Sequence, residues 1–156
     1  MNIRKADIND YNGIMGLLAQ VNNLHAKMRP DIFVADAVKY DEKHFAEIVE
    51  NDDTPVFVAV DESEKVLGHL FCIIRDYKKM PVFKDFKSFF IDDLCIDESA
   101  RGQGVGKALY EFALNYARKL GCYDVTLNVW EGNKSALAFY EKMGMFEKER
   151  QMEYIL

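Results

Sequence analysis

The chain lacks the features that would place it at a membrane, on nucleic acid or outside the cell. No stretch approaches the roughly 20 apolar residues of a membrane-spanning helix. The opening residues Asn2, Ile3, Arg4, Lys5 and Asp7 alternate in polarity instead of forming the apolar run of a secretory signal. Cysteine is scarce: Cys72, Cys95 and Cys122 are far apart, odd in number and free of Cys-x-x-Cys spacing. That pattern argues against both a disulfide framework and a thiolate metal site, and leaves reduced thiols. His44 and His69 have no metal-ligand spacing and read as structural, and no Ser-His-Asp arrangement is legible. Positive charge is also in deficit, with 20 Lys and Arg against 26 Asp and Glu and a net charge of −6. This is the wrong sign for phosphate neutralisation on nucleic acid. The expectation is a cytoplasmic protein with no membrane, nucleic-acid or metal partner.

Low-complexity tracts, repeats and Gly/Ser linkers are absent too, and the prolines at 30, 55 and 81 fall in expected loops or strand edges. What is present is 156 residues, 49% of them apolar, enough for one core and too few for two ordinary domains, so residues 1–156 are read as a single domain. Asn2 to Lys5 reads as a strand, and Asp7 can cap a helix carrying Ile14, Leu17, Leu18 and Val21. A second helix fits Glu42 to Val49. Pro55 to Val60 and Val66 to Ile74 read as a hairpin around Asp61–Glu64, and Ser88 to Ile96 as a third long strand. A helix follows from about Gln103 to Leu120, stopped by Gly121. Then come a strand, Asp124 to Trp130, a helix, Asn133 to Met143, and one or two closing strands from Phe146 to Leu156. The sum is an α+β fold: a mixed, mostly antiparallel twisted sheet of six to seven strands with about four helices.

Arg101, Gly102, Gln103, Gly104, Val105, Gly106 and Lys107 stand between a buried strand and an amphipathic helix. Free backbone N–H groups and the helix dipole hold anions at such a place, and glycines let a pyrophosphate approach. A dinucleotide fingerprint would need glycine where Lys107 stands. A Walker A loop would need glycine at 101 and Ser or Thr at 108, but the chain has Arg101 and Ala108. The remaining alternative is a turn that only packs a strand on a helix.

The pattern that fits is (Gln or Arg)-x-x-Gly-x-(Gly or Ala), filled by Arg101, Gly104 and Gly106 after the strand Phe89 to Ile96. It resembles the GNAT superfamily of N-acetyltransferases. A second block, Leu127, Asn128 and Val129 followed by Asn133, Ser135, Ala136, Ala138, Phe139, Tyr140, Glu141, Lys142, Gly144 and Phe146, resembles the family's closing strand, helix and strand. The resemblance covers Pro55 to Phe146; before that only the order of elements matches.

The resemblance implies acetyl coenzyme A as cosubstrate and no metal. It implies a bulged strand splayed from its neighbour, so that the pantetheine arm pairs with Leu94, Cys95 and Ile96. The pyrophosphate would rest on the turn Gly102, Gln103, Gly104, Val105, Gly106 and Lys107, with Arg101 adding charge. It also makes Tyr140 the acid that protonates the leaving sulfur, although an ordinary core tyrosine is the plainer alternative. Asn133 lies seven residues before Tyr140 on one helix face and would contact the pantetheine arm.

Transfer to an amine also needs an oxyanion donor and somewhere for the ammonium proton to go. The backbone N–H near Leu94 is the candidate donor. Asp92 and Asp93 interrupt an apolar strand and need a cleft or a partner. Asp93, on one face with Ile91 and Cys95 by alternation, is the nearest candidate base, with a cap or salt bridge as the alternative role. In the branch that acetylates protein N-termini a glutamate occupies the place of Asn128, which cannot accept a proton usefully. The acceptor wall is expected from Leu18 to Asp36 and Tyr77 to Lys87, with His25, Arg29, Phe33, Asp92 and Asn128 as binding candidates. The expected activity is acetyl transfer to a primary amine of a small molecule or peptide. The alternative is a catalytically idle acyl coenzyme A sensor or interaction module. The closing strands could pair across a homodimer.

Overall fold

The computed structural model describes residues 1–78 and 80–156. Asn2–Lys5 (β1), Val56–Val60 (β2), Val66–Asp76 (β3), Lys87–Ile96 (β4) and Asp124–Leu127 (β5) form one sheet in chain order. All neighbours are antiparallel except the parallel pair β4 and β5. The long helices are Tyr11–Met28 (α1), Glu42–Glu50 (α2), Val105–Lys119 (α3) and Lys134–Lys142 (α4).

The sheet is covered on both faces, which is why β2 reads as an unbroken apolar run: all five of its residues are buried. Alternation sends Val56, Val58 and Val60 to one side, against Ile14, Leu17 and Leu18 of α1 and Phe45 and Val49 of α2. Phe57 and Ala59 go to the other side, against Val105, Leu109, Ala113 and Ala117 of α3. Asp7 caps a short 3-10 turn, Ile8–Asp10, that leads into α1, and buried Asp10 pairs with Arg4 of β1 at 2.8 Å. This pair ties the helix entry to the first strand. Asp41 caps α2 through the His44 N–H.

The feature that shapes the site is a bulge in β4. Phe71 of β3 lies opposite Asp93 and Cys72 opposite Ile91, so Asp92 has no cross-strand partner. One extra residue reverses the alternation. Phe89 and Ile91 therefore pack on the α3 side while Cys95 packs on the α1 side. The expectation that Asp93 shares a face with both Ile91 and Cys95 is thus corrected, because simple alternation does not survive an inserted residue. At the bulge the sheet splits: the β4–β5 register ends at Ile91 opposite Leu127, and β4 continues to Ile96 beside β3 alone. The fifth strand accordingly stops at Leu127, short of the expected Trp130.

The strand count is corrected as well, from six or seven to five. Phe146 to Leu156 forms no strand and, among the described residues, makes no backbone bond to the sheet. A strand gains stability from packing on its neighbours. Here Glu147 pairs with Arg150 at 2.8 Å and Lys148 with Asp124 at 2.7 Å, while Phe146, Met152, Tyr154, Ile155 and Leu156 are left exposed with no surface to cover.

Candidate active site

At the end of β4 the chain makes a 3-10 turn, Glu98–Ala100, before the glycine segment. Gly102 and Gly104 take φ values of +77° and +84°, a region costly for other residues. A Cβ on either would meet nothing within 4 Å, so the space beside both glycines is not filled by protein. Gly104 is the N-cap of α3 and offers no side chain to the first N–H groups of the helix, which are left for an external acceptor. At Gly106 a Cβ would meet Ile96 and Phe139 no closer than 3.5 Å, ordinary contact that explains why alanine serves equally there. Arg101 lies 3.6 Å from Glu98 and Lys107 3.7 Å from Glu111; both cations are exposed beside the turn. The turn thus offers backbone donors, a helix N-terminus and two exposed positive charges, the groups that suit an anion.

The split between β4 and β5 opens beside the acid pair. Asp93 is 11% exposed and Asp92 37%. Buried His69 on β3 meets the Asp93 carboxylate through Nε2 at 3.1 Å, while its Nδ1 is buried with no partner among the described residues. Lys39, from the loop between α1 and α2, places Nζ 3.5 Å from Asp92 and 3.9 Å from Asp93. Burial pushes Asp93 upward, but the His69 hydrogen bond and the charges of Lys39 and His25 outweigh it and hold the carboxyl below its usual range. Burial lowers Lys39, and the nearby Asp93, Tyr40 and Asp92 more than reverse this, so the group stays an ammonium. Burial holds His25 below the usual imidazole range despite the pull of Asp93.

Across the split, Tyr140 of α4 packs between Tyr110 and Phe139, at centroid distances of 6.1 and 5.1 Å. Burial, and then the charge of Asp93, push its phenol well above the usual tyrosine range, so it keeps its proton at neutral pH. On the α1 side His25, Phe33 and Trp130 form an aromatic cluster: Phe33 is 5.1 Å from His25 and 5.3 Å, edge on, from Trp130. The Arg29 guanidinium lies 5.8 Å over Trp130 and is already paired with Asp31 at 2.7 Å and Glu153 at 2.9 Å. A cavity of about 110 Å³ between Tyr40, Ile48, Phe71 and Asp92 adjoins the acid pair. A larger hollow of about 320 Å³ along α1 is lined by Asn23, Ala26, Lys27, Ala35 and Asp36, none of which touches that pair.

The profile of the Acetyltransferase (GNAT) family matches residues 18–145. The chain belongs to the GNAT family. It is 44% identical over 62 residues to a glucosamine 6-phosphate N-acetyltransferase of Trypanosoma brucei brucei, covering 40% of each protein. It is 34% identical over 92 residues to the peptidyl-lysine N-acetyltransferase YjaB of Escherichia coli, covering 59% of this chain and 50% of that one. These matched stretches span half or less of the curated relatives' lengths. In structure, a mutant of the BH1408 protein of Bacillus halodurans superposes with a TM-score of 0.94 at 32% identity, over 100% of this chain and 99% of that one.

Within this GNAT cleft the predicted residues divide into those that converge and those with other duties. Leu94, Cys95 and Ile96 line the free part of β4. Cys95 contributes only backbone there, since its thiol points at the Leu17 carbonyl of α1 and burial pushes it up to about 12. The Asn133 carboxamide oxygen accepts from the Ala136 N–H as the cap of α4, leaving only its amino group for a ligand. Arg29 serves Asp31 and Glu153, and Asn128 is exposed just past the end of β5. Sequence reasoning missed Lys39 and Trp130, and read His69 as structural without its Asp93 partner. The bulge brings both carboxylates to Lys39, and the β3–β4 hairpin register sets His69 opposite Cys95, near Asp93. Only knowledge of that register would have joined His69 to Asp93. Among the described residues no group of three or more His, Cys, Asp or Glu is placed to hold a metal, and no helix is long and apolar enough to cross a membrane.

Proposed function

We propose that this chain transfers an acetyl group directly from acetyl coenzyme A to a primary amine of a small molecule or peptide. The observation that carries the reading is the acid pair where the sheet splits, already holding an ammonium and acting on a protonated phenol, in a chain that also has an open glycine turn at a helix start. The residues present fit the cosubstrate: the turn Arg101–Lys107 would take its diphosphate and the unpaired part of β4, Leu94 to Ile96, its pantetheine arm. It supplies the activated acetyl group.

The protein's own groups account for the remaining steps. Asp92 and Asp93 attract the acceptor as an ammonium and orient it. Asp93, held below the ordinary carboxylate range, is an anchor and a conduit for the proton to water more than its final store. A backbone N–H near Leu94 serves as the donor to a developing oxyanion, and Tyr140 gives its proton to the departing thiolate. The His25, Phe33 and Trp130 cluster walls the acceptor side. Relatives named for sugar-phosphate and peptidyl-lysine amines support an amine acceptor and leave its identity to experiment.

The test is release of free thiol from acetyl coenzyme A across a panel of amino sugars, polyamines, amino acids and lysine peptides. Turnover on at least one acceptor, lost in Asp93→Asn, is the expected result. Thermal stabilisation by the cosubstrate with no turnover on any amine would favour the idle binding module instead.

A further inference from the structure

Lys39 Nζ stands where an acceptor ammonium would be expected to stand. Its distances of 3.5 and 3.9 Å to the two carboxylates exceed the 2.7 Å of Lys5 with Asp52. It also lies 5.3 Å over the Tyr40 ring and 5.9 Å over the Phe71 ring, so two anions and two aromatic faces surround one primary ammonium. Among the described lysines, Lys39 is the one that meets Asp92 or Asp93; Lys5, Lys107, Lys134 and Lys148 pair with acids elsewhere on the surface. The loop that bears Lys39 is fixed on both sides of it. Asn22 donates to the Val34 carbonyl and Asn23 binds Asp36 before it, while Tyr11 Oη donates to the Tyr40 carbonyl after it. The backbone therefore delivers this side chain to the acid pair within the same molecule.

We propose that Lys39 is itself an acetyl acceptor, modified in cis by its own cleft. The inference rests on the transfer reading above and goes beyond it by naming a modification site and a lysine-type ammonium as the guest that the acid pair recognises. In the step, the Lys39 ammonium gives one proton to water by way of Asp93, and its neutral nitrogen forms a bond to the acetyl carbonyl carbon of acetyl coenzyme A. The carbon–sulfur bond breaks, the thiolate takes the Tyr140 proton, and the second nitrogen proton leaves to solvent, from which Tyr140 is reprotonated. The products are an uncharged acetyl-lysine, free coenzyme A and one proton.

The test is incubation of the full chain with isotopically labelled acetyl coenzyme A and no other amine, read by intact mass and peptide mapping at two protein concentrations. One acetyl group on Lys39 is expected, about tenfold or more ahead of any other lysine. Its fractional rate should not change with protein concentration and should fall on the order of 100-fold in Tyr140→Phe. Asp93→Asn should slow it as well, with a melting curve to show that the variant is folded. Label spread over surface lysines with Lys39 no faster, or an unchanged Lys39 rate in folded Tyr140→Phe, would overturn the proposal; a rate rising with protein concentration would overturn its cis character. An amine panel run in parallel separates the failures. Turnover on an external amine with Lys39 unlabelled sinks this inference alone, and transfer to no amine at all sinks the proposed function with it.

Discussion

The four antiparallel strands and the chain beyond Tyr123 are built to different standards. In the first region β2 is buried at every position and β3 and β4 are packed on both faces by α1, α2 and α3. In the second, β5 is only half-buried, α4 has no buried residue, and the closing segment exposes five large apolar side chains. The two catalytic candidates fall on opposite sides of this divide. Asp93 is locked by His69 within the tight region, while Tyr140 is held on the light one by contacts with Tyr110 and Phe139. The element carrying Asp93 is thus packed on both faces, while the one carrying Tyr140 is packed lightly.

The sharpest way to break this comparison is to remove chemistry from the light wall without removing packing. Tyr140→Phe keeps the ring contacts and should lower turnover on the order of 100-fold, with acetyl coenzyme A affinity and melting temperature nearly unchanged, as steady-state rates and calorimetry will show. Equal losses in affinity and stability would mean that the tyrosine is a packing residue. The converse experiment removes packing without chemistry. Leu70→Ala, at a fully buried site in β3, should cost about 3 kcal/mol in urea unfolding. Leu137→Ala, on the exposed side of α4, should cost roughly 0.5 kcal/mol or less.

A subtler effect concerns pH. Asp93 is held below the usual carboxylate range, so it is ionised throughout the neutral region, and Tyr140 stays protonated above it. Neither group then limits the rate between about pH 6 and pH 9. The neutral fraction of the acceptor does, and kcat/KM should climb with unit slope toward the amine's own pKa, about 10 for a lysine-type acceptor. A rate already level across this range, having risen only in more acid solution, would instead mark Asp93 as the limiting base.

The tight region was largely legible in the sequence, because its signals are local: the β-rich runs of β2 and β3, the helical spacing of α3, and the glycines at 102 and 104 that permit a positive φ. The candidate site rests on signals of two kinds. Tyr140 and the turn are carried by short motifs, but the Asp92–Asp93–Lys39 grouping depends on a one-residue bulge that periodicity cannot locate, and His69 depends on hairpin register. The closing strands were misread for a related reason. Phe146, Tyr154 and Ile155 have strand character, yet strand formation needs a partner surface, which no local pattern reveals.

Hydrogen exchange with and without acetyl coenzyme A tests most directly whether the split sheet is the cosubstrate site. Free protein should exchange slowly in β2, β3 and β4 and quickly in β5, α4 and the closing segment. Added cosubstrate should slow exchange at Leu94–Ile96, Arg101–Lys107 and across α4, leaving β2 unaltered. Protection confined to the hollow lined by Asn23, Lys27 and Asp36, or no protection at all, would contradict the account.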